Sequence, residues 1–189
     1  MSTEDRERWD ARHRAHGART ESPLPFVASQ RDRLPTRGTV LDVAGGTGRH
    51  ALWLAGLGLE VTLLDVSAVA LELASGVARE RGLPLRTALV DLDTDGLPPG
   101  PFDVVLCTYF LWRPLLPAAA AVLRPGGLVI AAHPTRRNLE RNPSPNARFL
   151  LEEGELVRLV PTELEVVELA ERWTDEGHHE AQLVARRRP

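Results

Sequence analysis

The sequence predicts an α/β protein: a doubly wound sheet of about seven strands, mostly parallel, with an antiparallel hairpin strand at its C-terminal end. Three observations carry this. Short apolar, β-branched runs recur, and the first three end at an acid: residues 39–43 with Asp42, 60–64 before Asp65, and 85–90 before Asp91. Stretches of helical apolar period separate the first runs, which is the pattern of strand–helix–strand units. Two weakly alternating segments, 164–170 and 180–185, close the chain as a hairpin.

Each element has a local reason. Residues 4–16 are polar around Trp9 and predict a helix, and a short helix is expected over 26–34 after Pro23 and Pro25. Residues 49–57 are apolar at helical spacing and stop at Gly56 and Gly58. Ser67 is a good N-cap for a helix reaching Arg81, with Gly82 after it. A loop rich in Asp, Gly and Pro spans 93–101, and a fourth strand is expected over 102–107. An alanine-rich helix over 114–123 leads to a tight turn at 124–127 and a fifth strand over 128–132. Three prolines and four charged residues mark 134–145 as a loop or flap, and 152–159 predicts a short helix.

Composition narrows the function classes. A 189-residue chain with 43% hydrophobic residues can bury a core without staples. The net charge of −3 offers no basic field for nucleic acid. All 23 basic residues are arginine, so no lysine can form a Schiff base. Cys107 is the single cysteine, which excludes an internal disulfide framework, and no metal site is expected. The charged N-terminus is not a signal peptide, and no apolar run approaches a membrane span, so a cytoplasmic protein is expected.

The run from Asp42 to Gly48, through Ala44, Gly45 and Gly46, places a glycine turn between a strand and a helix start. Glycines let backbone approach a ligand, and the helix start offers free N–H groups. The segment Gly46-Thr47-Gly48-Arg49-His50-Ala51 also fits the dinucleotide pattern. Asp42 separates the two cofactor classes. A carboxylate repels a pyrophosphate, whereas it attracts the ammonium and sulfonium of S-adenosylmethionine. Asp65, 17 residues after Gly48, can accept both ribose hydroxyls of either cofactor. Asp91 stands where an adenine amino group could be read, or it caps its own loop.

These residues resemble a known family. The run Val40-Leu41-Asp42-Val43-Ala44-Gly45-Gly46-Thr47-Gly48-Arg49-His50 resembles motif I of class I methyltransferases. Residues 61–67, 102–107 and 123–128 resemble that family's second motif, fourth strand and turn into strand five. Trp9-Asp10-Ala11-Arg12-His13 and the segment 148–156 resemble the small bacterial type related to the tellurite-resistance and thiopurine enzymes. The resemblance implies a Rossmann-like sheet and S-adenosylmethionine as cofactor, with S-adenosylhomocysteine as product. It implies one methyltransferase domain over 1–189. Its parts are an N-terminal helical cap (1–37), a cofactor-binding core (38–133), and an acceptor-side flap with the C-terminal hairpin (134–189).

The implied cofactor residues are Trp9, Arg12, Asp42, Ala44, Gly45, Gly46, Gly48, Arg49, His50, Asp65, Val66, Ser67, Asp91, Leu92, Cys107 and Thr108. Trp9 also reads as a core anchor, and Cys107 as a small core residue. His50 stands where the family has Asn, and His13 where it has Tyr; both are expected to face the pocket.

On the acceptor side, Tyr109 and His133 are the catalytic candidates, with Thr108, Phe110, Trp112 and Arg113 beside them. His133 could act as a base, or be satisfied by backbone in a turn. Arg136, Arg137, Arg141 and Arg148 could recognise an anion, or form a solvated loop. His178 and His179 are adjacent without an evident third metal ligand. The expected partner is a small-molecule acceptor such as a thiol, a metalloid oxyanion or another anion, without nucleic acid or membrane, for a monomer or homodimer. An NAD-linked oxidoreductase and a non-catalytic S-adenosylmethionine-binding protein are the competing readings.

Overall fold

A computed structural model describes residues 3–18 and 22–189. Helix α1 (Thr3–His16) is followed by α2 (Pro25–Ser29) and a 3-10 turn at Arg31–Arg33. Strand β1 (Thr39–Val43), helix α3 (Arg49–Gly56), strand β2 (Glu60–Asp65), helix α4 (Ala68–Glu80) and strand β3 (Leu85–Leu89) form the first half. Strand β4 (Phe102–Thr108), helix α5 (Leu115–Val122) and strand β5 (Leu123–Pro134) continue the alternation. Two 3-10 turns (Arg136–Glu140 and Ala147–Phe149), helix α6 (Glu155–Arg158) and strands β6 (Leu164–Trp173) and β7 (His179–Arg187) complete it.

The strands make one seven-stranded sheet in the order β3-β2-β1-β4-β5-β7-β6. The first five are mutually parallel, while β7 runs antiparallel to both neighbours. The strand order reverses between β1 and β4, and sheets of this kind bind ligands outside the carboxyl ends at that point. Both faces are covered. Val40, Val104, Leu106 and Ile130 pack with α2, α3 and α4, whereas Leu41, Val105, Val129 and Leu183 pack with α5 and α6. Burial on both faces is why the central strands read as continuous apolar runs rather than alternating ones.

The elements fall where the sequence placed them, with four differences. Strand β5 starts at Leu123, because Phe102 pairs with Leu123 before the register shifts and Val104 pairs with Leu128. The expected turn at 124–127 is therefore an irregularity inside the ladder, with Gly126 at φ +81°. The expected 26–34 helix stops at Ser29, and the expected 152–159 helix shrinks to Glu155–Arg158 behind Gly154 at φ +64°. The final hairpin is longer than its weak alternation suggested. The flap is tied down: Arg136 N–H donates to Leu151 O at 2.8 Å, and Leu151 N–H to Pro134 O at 3.1 Å.

Candidate functional site

A cavity of about 110 Å³ opens at the carboxyl ends of β1, β2 and β4. Its walls combine the glycine turn (Ala44, Gly46), the end of β2 (Leu64, Asp65, Val66), Val90 and Leu92 after β3, Tyr109 and Phe110 after β4, and Trp9 and His13 of α1. The turn is bent by left-handed backbone at Ala44 (φ +53°) and Gly46 (φ +57°). A non-glycine residue held there stores strain, which is common at functional sites. Gly45 has no room for a side chain: a Cβ would stand 2.6 Å from Asp42 Oδ2.

Asp65 ties the turn to β2. Its Oδ2 accepts from Gly46 N–H at 2.8 Å, and its Oδ1 from Ser67 N–H at 2.9 Å. Burial raises its pKa, and these backbone donors pull it back. The free lone pairs of an anchored carboxylate at a cavity wall suit a pair of hydroxyls. Apolar Val66, Val90 and Leu92 alongside it suit a flat, apolar ring.

Helix α1 closes the cavity from outside. Asp10 Oδ1 accepts from Ser67 Oγ–H at 2.5 Å and from Val69 N–H at 3.4 Å, so α1 is fastened to the first turn of α4. Ser67 Oγ also accepts from Ala70 N–H as the N-cap. Arg6 approaches Asp91 at 3.9 Å, and Trp9 stacks on His13.

Of the sequence candidates, Trp9, Ala44, Gly46, Asp65, Val66, Leu92, Tyr109 and Phe110 line this cavity. The others lie elsewhere. Arg12 sits over the Trp9 ring on the exposed side of α1. Arg49 Nε donates to Ser22 O at 2.6 Å. Asp42, Gly45, Gly48, Ser67 and Asp91 support the walls without forming them. His50 is buried away from the cavity, contrary to the expectation for it, whereas His13 does face it. Leu24 N–H donates to His50 Nε2 at 3.3 Å, so Nδ1 carries the proton and faces Thr108 Oγ1 at 3.5 Å. Burial, with a smaller push from Arg49, lowers the His50 pKa to about 4.

Asp42 is the unusual group. It is 1% exposed, and its Oδ2 has no hydrogen-bond partner among the described residues. Burial raises its pKa to about 7, against an opposing hydrogen bond from Ala51 N–H. It lies behind the turn, packed so closely against Gly45 that only glycine fits there.

Beyond Tyr109 lies a smaller cavity of about 20 Å³, lined by Cys107, Arg113, His133 and apolar side chains, with Phe110 shared between the two. Tyr109 holds φ +58° and donates its hydroxyl to the buried Glu180, whose other oxygen accepts from Gln182 Nε2 at 3.1 Å. Burial, then Glu180, pushes the phenol well above its ordinary pKa, so Tyr109 stays protonated. The sequence reading missed Glu180, Leu64 and Val90. The two apolar residues immediately precede strand-end acids, which was a usable signal; Glu180 reaches the site only through the β5–β7 pairing.

The flap arginines are already engaged. Arg136 pairs with Glu152 at 2.6 Å, and Arg137 with Glu140 at 3.1 Å and Glu153 at 3.7 Å. Arg141 lies over Trp173, and Arg148 over Phe149. No cluster of three or more metal-binding side chains occurs among the described residues. No helix of the described residues is long and apolar enough to cross a membrane.

Fold and site together resemble the class I S-adenosylmethionine-dependent methyltransferases, and the comparisons agree. The family model for the methyltransferase domain matches residues 40–127. More particularly, TehB from Haemophilus influenzae shares the fold at 21% identity and a TM-score of 0.71, over 86% of this chain and 61% of that one. A protein solved in work on the conversion of a disulfide bond into a thioacetal group during echinomycin biosynthesis shares it at 24% identity and a TM-score of 0.75. That match covers 97% of this chain and 91% of the other. An S-adenosylmethionine-dependent methyltransferase from Methanosarcina mazei matches at 19% identity and a TM-score of 0.68, over 89% and 99% of the two chains. No curated protein matches the sequence. The domain match and the shared fold support methyl transfer, with S-adenosylmethionine as the cofactor.

Proposed function

We propose that this protein transfers the methyl group of S-adenosylmethionine to a small-molecule acceptor, as one domain in which 1–37 caps a 38–133 core and 134–189 frames the acceptor. The observation that carries the reading is the wall of the larger cavity: a strand-end carboxylate, Asp65, beside a left-handed glycine turn and an apolar slot. These residues fit the cofactor. Gly46 has no side chain to block the turn, and Asp65 has lone pairs for the ribose hydroxyls. Val66, Val90 and Leu92 would flank the adenine. Among the described residues, no arginine lines the cavity.

When bound, the cofactor supplies an electrophilic methyl on a sulfonium. The protein's own residues then mainly align and exclude water. Trp9 and His13 cover the cavity, and Tyr109 marks the passage toward the acceptor side. Tyr109, kept protonated and with its one hydroxyl proton held by Glu180, positions its ring at the cavity wall rather than acting as a base.

The test is turnover of methyl-labelled S-adenosylmethionine against thiols, selenite, tellurite and small phenols. Label should appear in at least one acceptor. Tight binding of S-adenosylhomocysteine with no transfer to any acceptor would favour a non-catalytic cofactor-binding protein instead.

A further inference from the structure

The smaller cavity carries an unused chemical group. His133, 8% exposed, closes one side of it. Its Nε2 lies 2.7 Å from the Phe149 carbonyl, which can only accept, so Nε2 carries the ring proton. Nδ1 is then a bare lone pair, and it has no partner among the described residues. A buried basic nitrogen left unpaired is costly unless something completes it. The rest of the lining is largely apolar, including Trp112, Leu116 and Leu156. A volume of about 20 Å³ takes one heteroatom-sized group, not a whole molecule. Phe110 lines both cavities, so the two adjoin at its side chain and a group seated here is presented at the edge of the cofactor cavity.

We infer that this cavity seats the reacting end of the acceptor and that it selects an uncharged X–H nucleophile, the amine, hydroxyl or thiol head of an otherwise apolar molecule, whose hydrogen is received by His133 Nδ1. The inference rests on the methyl-transfer reading above and narrows its acceptor. In the step, the acceptor heteroatom bonds to the methyl carbon. The carbon–sulfur bond breaks with its electron pair going to sulfur, and the acceptor's proton passes to Nδ1. The sulfonium's positive charge thus ends on an imidazolium, which the Phe149 carbonyl steadies through Nε2–H. Burial lowers the His133 pKa, which keeps the lone pair available at neutral pH. The titratable groups around it are Arg113 and Glu155, paired with each other at 2.6 Å, and Cys107, which burial keeps as the neutral thiol.

An anion fits this place poorly. Moving one into an apolar cavity is expensive without a free cation. Arg113, the one cation in the lining, is held by Glu155, and the flap arginines have their own partners.

The experiment uses the full chain with ¹⁵N-labelled histidine, saturated with S-adenosylhomocysteine as checked by calorimetry. The His133 signals are assigned by their loss in His133→Asn. Phenol, thiophenol and aniline are the neutral probes, and tellurite and selenite the anionic ones. At least one neutral probe should move the Nδ1 resonance, and the anions should leave it in place. His133→Asn should lower turnover of that probe about 100-fold, mostly in kcat, and remove the acidic limb of its pH profile. An unmoved Nδ1 with every neutral probe while S-adenosylhomocysteine binds, or a response to the anions alone, overturns the inference and leaves methyl transfer standing. Absence of S-adenosylhomocysteine binding overturns both.

Discussion

Two buried residues flank the glycine turn and titrate in opposite senses. Asp42 has a folded pKa of about 7, raised from the carboxylate range, so the folded state holds a proton that the unfolded chain releases. Its stabilising contribution is complete below about pH 4 and is lost as pH rises through 7. His50 has a folded pKa of about 4, so its contribution is complete above its unfolded value of about 6.5 and is lost as pH falls toward 4. Each effect approaches about 1.4 kcal/mol per pH unit, and the two oppose each other between pH 4 and 6.5. Asp42→Asn should therefore gain stability relative to the parent at pH 8, with the gain shrinking toward pH 5 in urea titrations. A gain independent of pH would show that Asp42 is ionised throughout. Tyr109 makes a second residue-scale case. Tyr109→Phe removes a donor from the buried Glu180 and should cost about 1–3 kcal/mol, whereas an unchanged urea midpoint would mean that the bond is not made in solution.

At the scale of elements, α1 governs access. It has few apolar residues to bury, so its position depends on Asp10 at the start of α4. Asp10→Ala should leave the thermal midpoint within a few degrees, because the sheet is untouched. It should raise amide exchange across α1 and speed S-adenosylhomocysteine release several-fold. Unaltered exchange in α1 would mean that something other than Asp10 fastens it. The site's main features were legible because they are local. Glycines, strand-end acids and the Ser67 cap announce themselves within a few residues. What stayed hidden depends on distant pairing. Glu180 meets Tyr109 because β7 lies beside β5, and His50 meets Leu24 across 26 positions. Neither contact leaves a mark in nearby sequence. Arg136 was hidden in the same way, since its partner Glu152 lies across a folded loop, whereas Arg137 has a local partner in Glu140.

For the whole molecule, the sheet order brings β1 and β4 together and leaves a crevice at their ends, which the ends of β2 and β3 extend and α1 covers. The parallel half was readable from apolar runs ending at acids. The antiparallel half was weaker because β6 is an edge strand whose outward residues, such as Val166, Val167 and Leu169, break simple alternation. On the proposed function, the crevice holds S-adenosylmethionine through Asp65. Calorimetric titration with S-adenosylhomocysteine, run beside NAD and repeated on Asp65→Ala, tests it most directly. S-adenosylhomocysteine should bind at micromolar concentration and NAD should not, and the variant should lose about 1.5–3 kcal/mol. Binding of NAD without S-adenosylhomocysteine, or an affinity indifferent to Asp65, would contradict it.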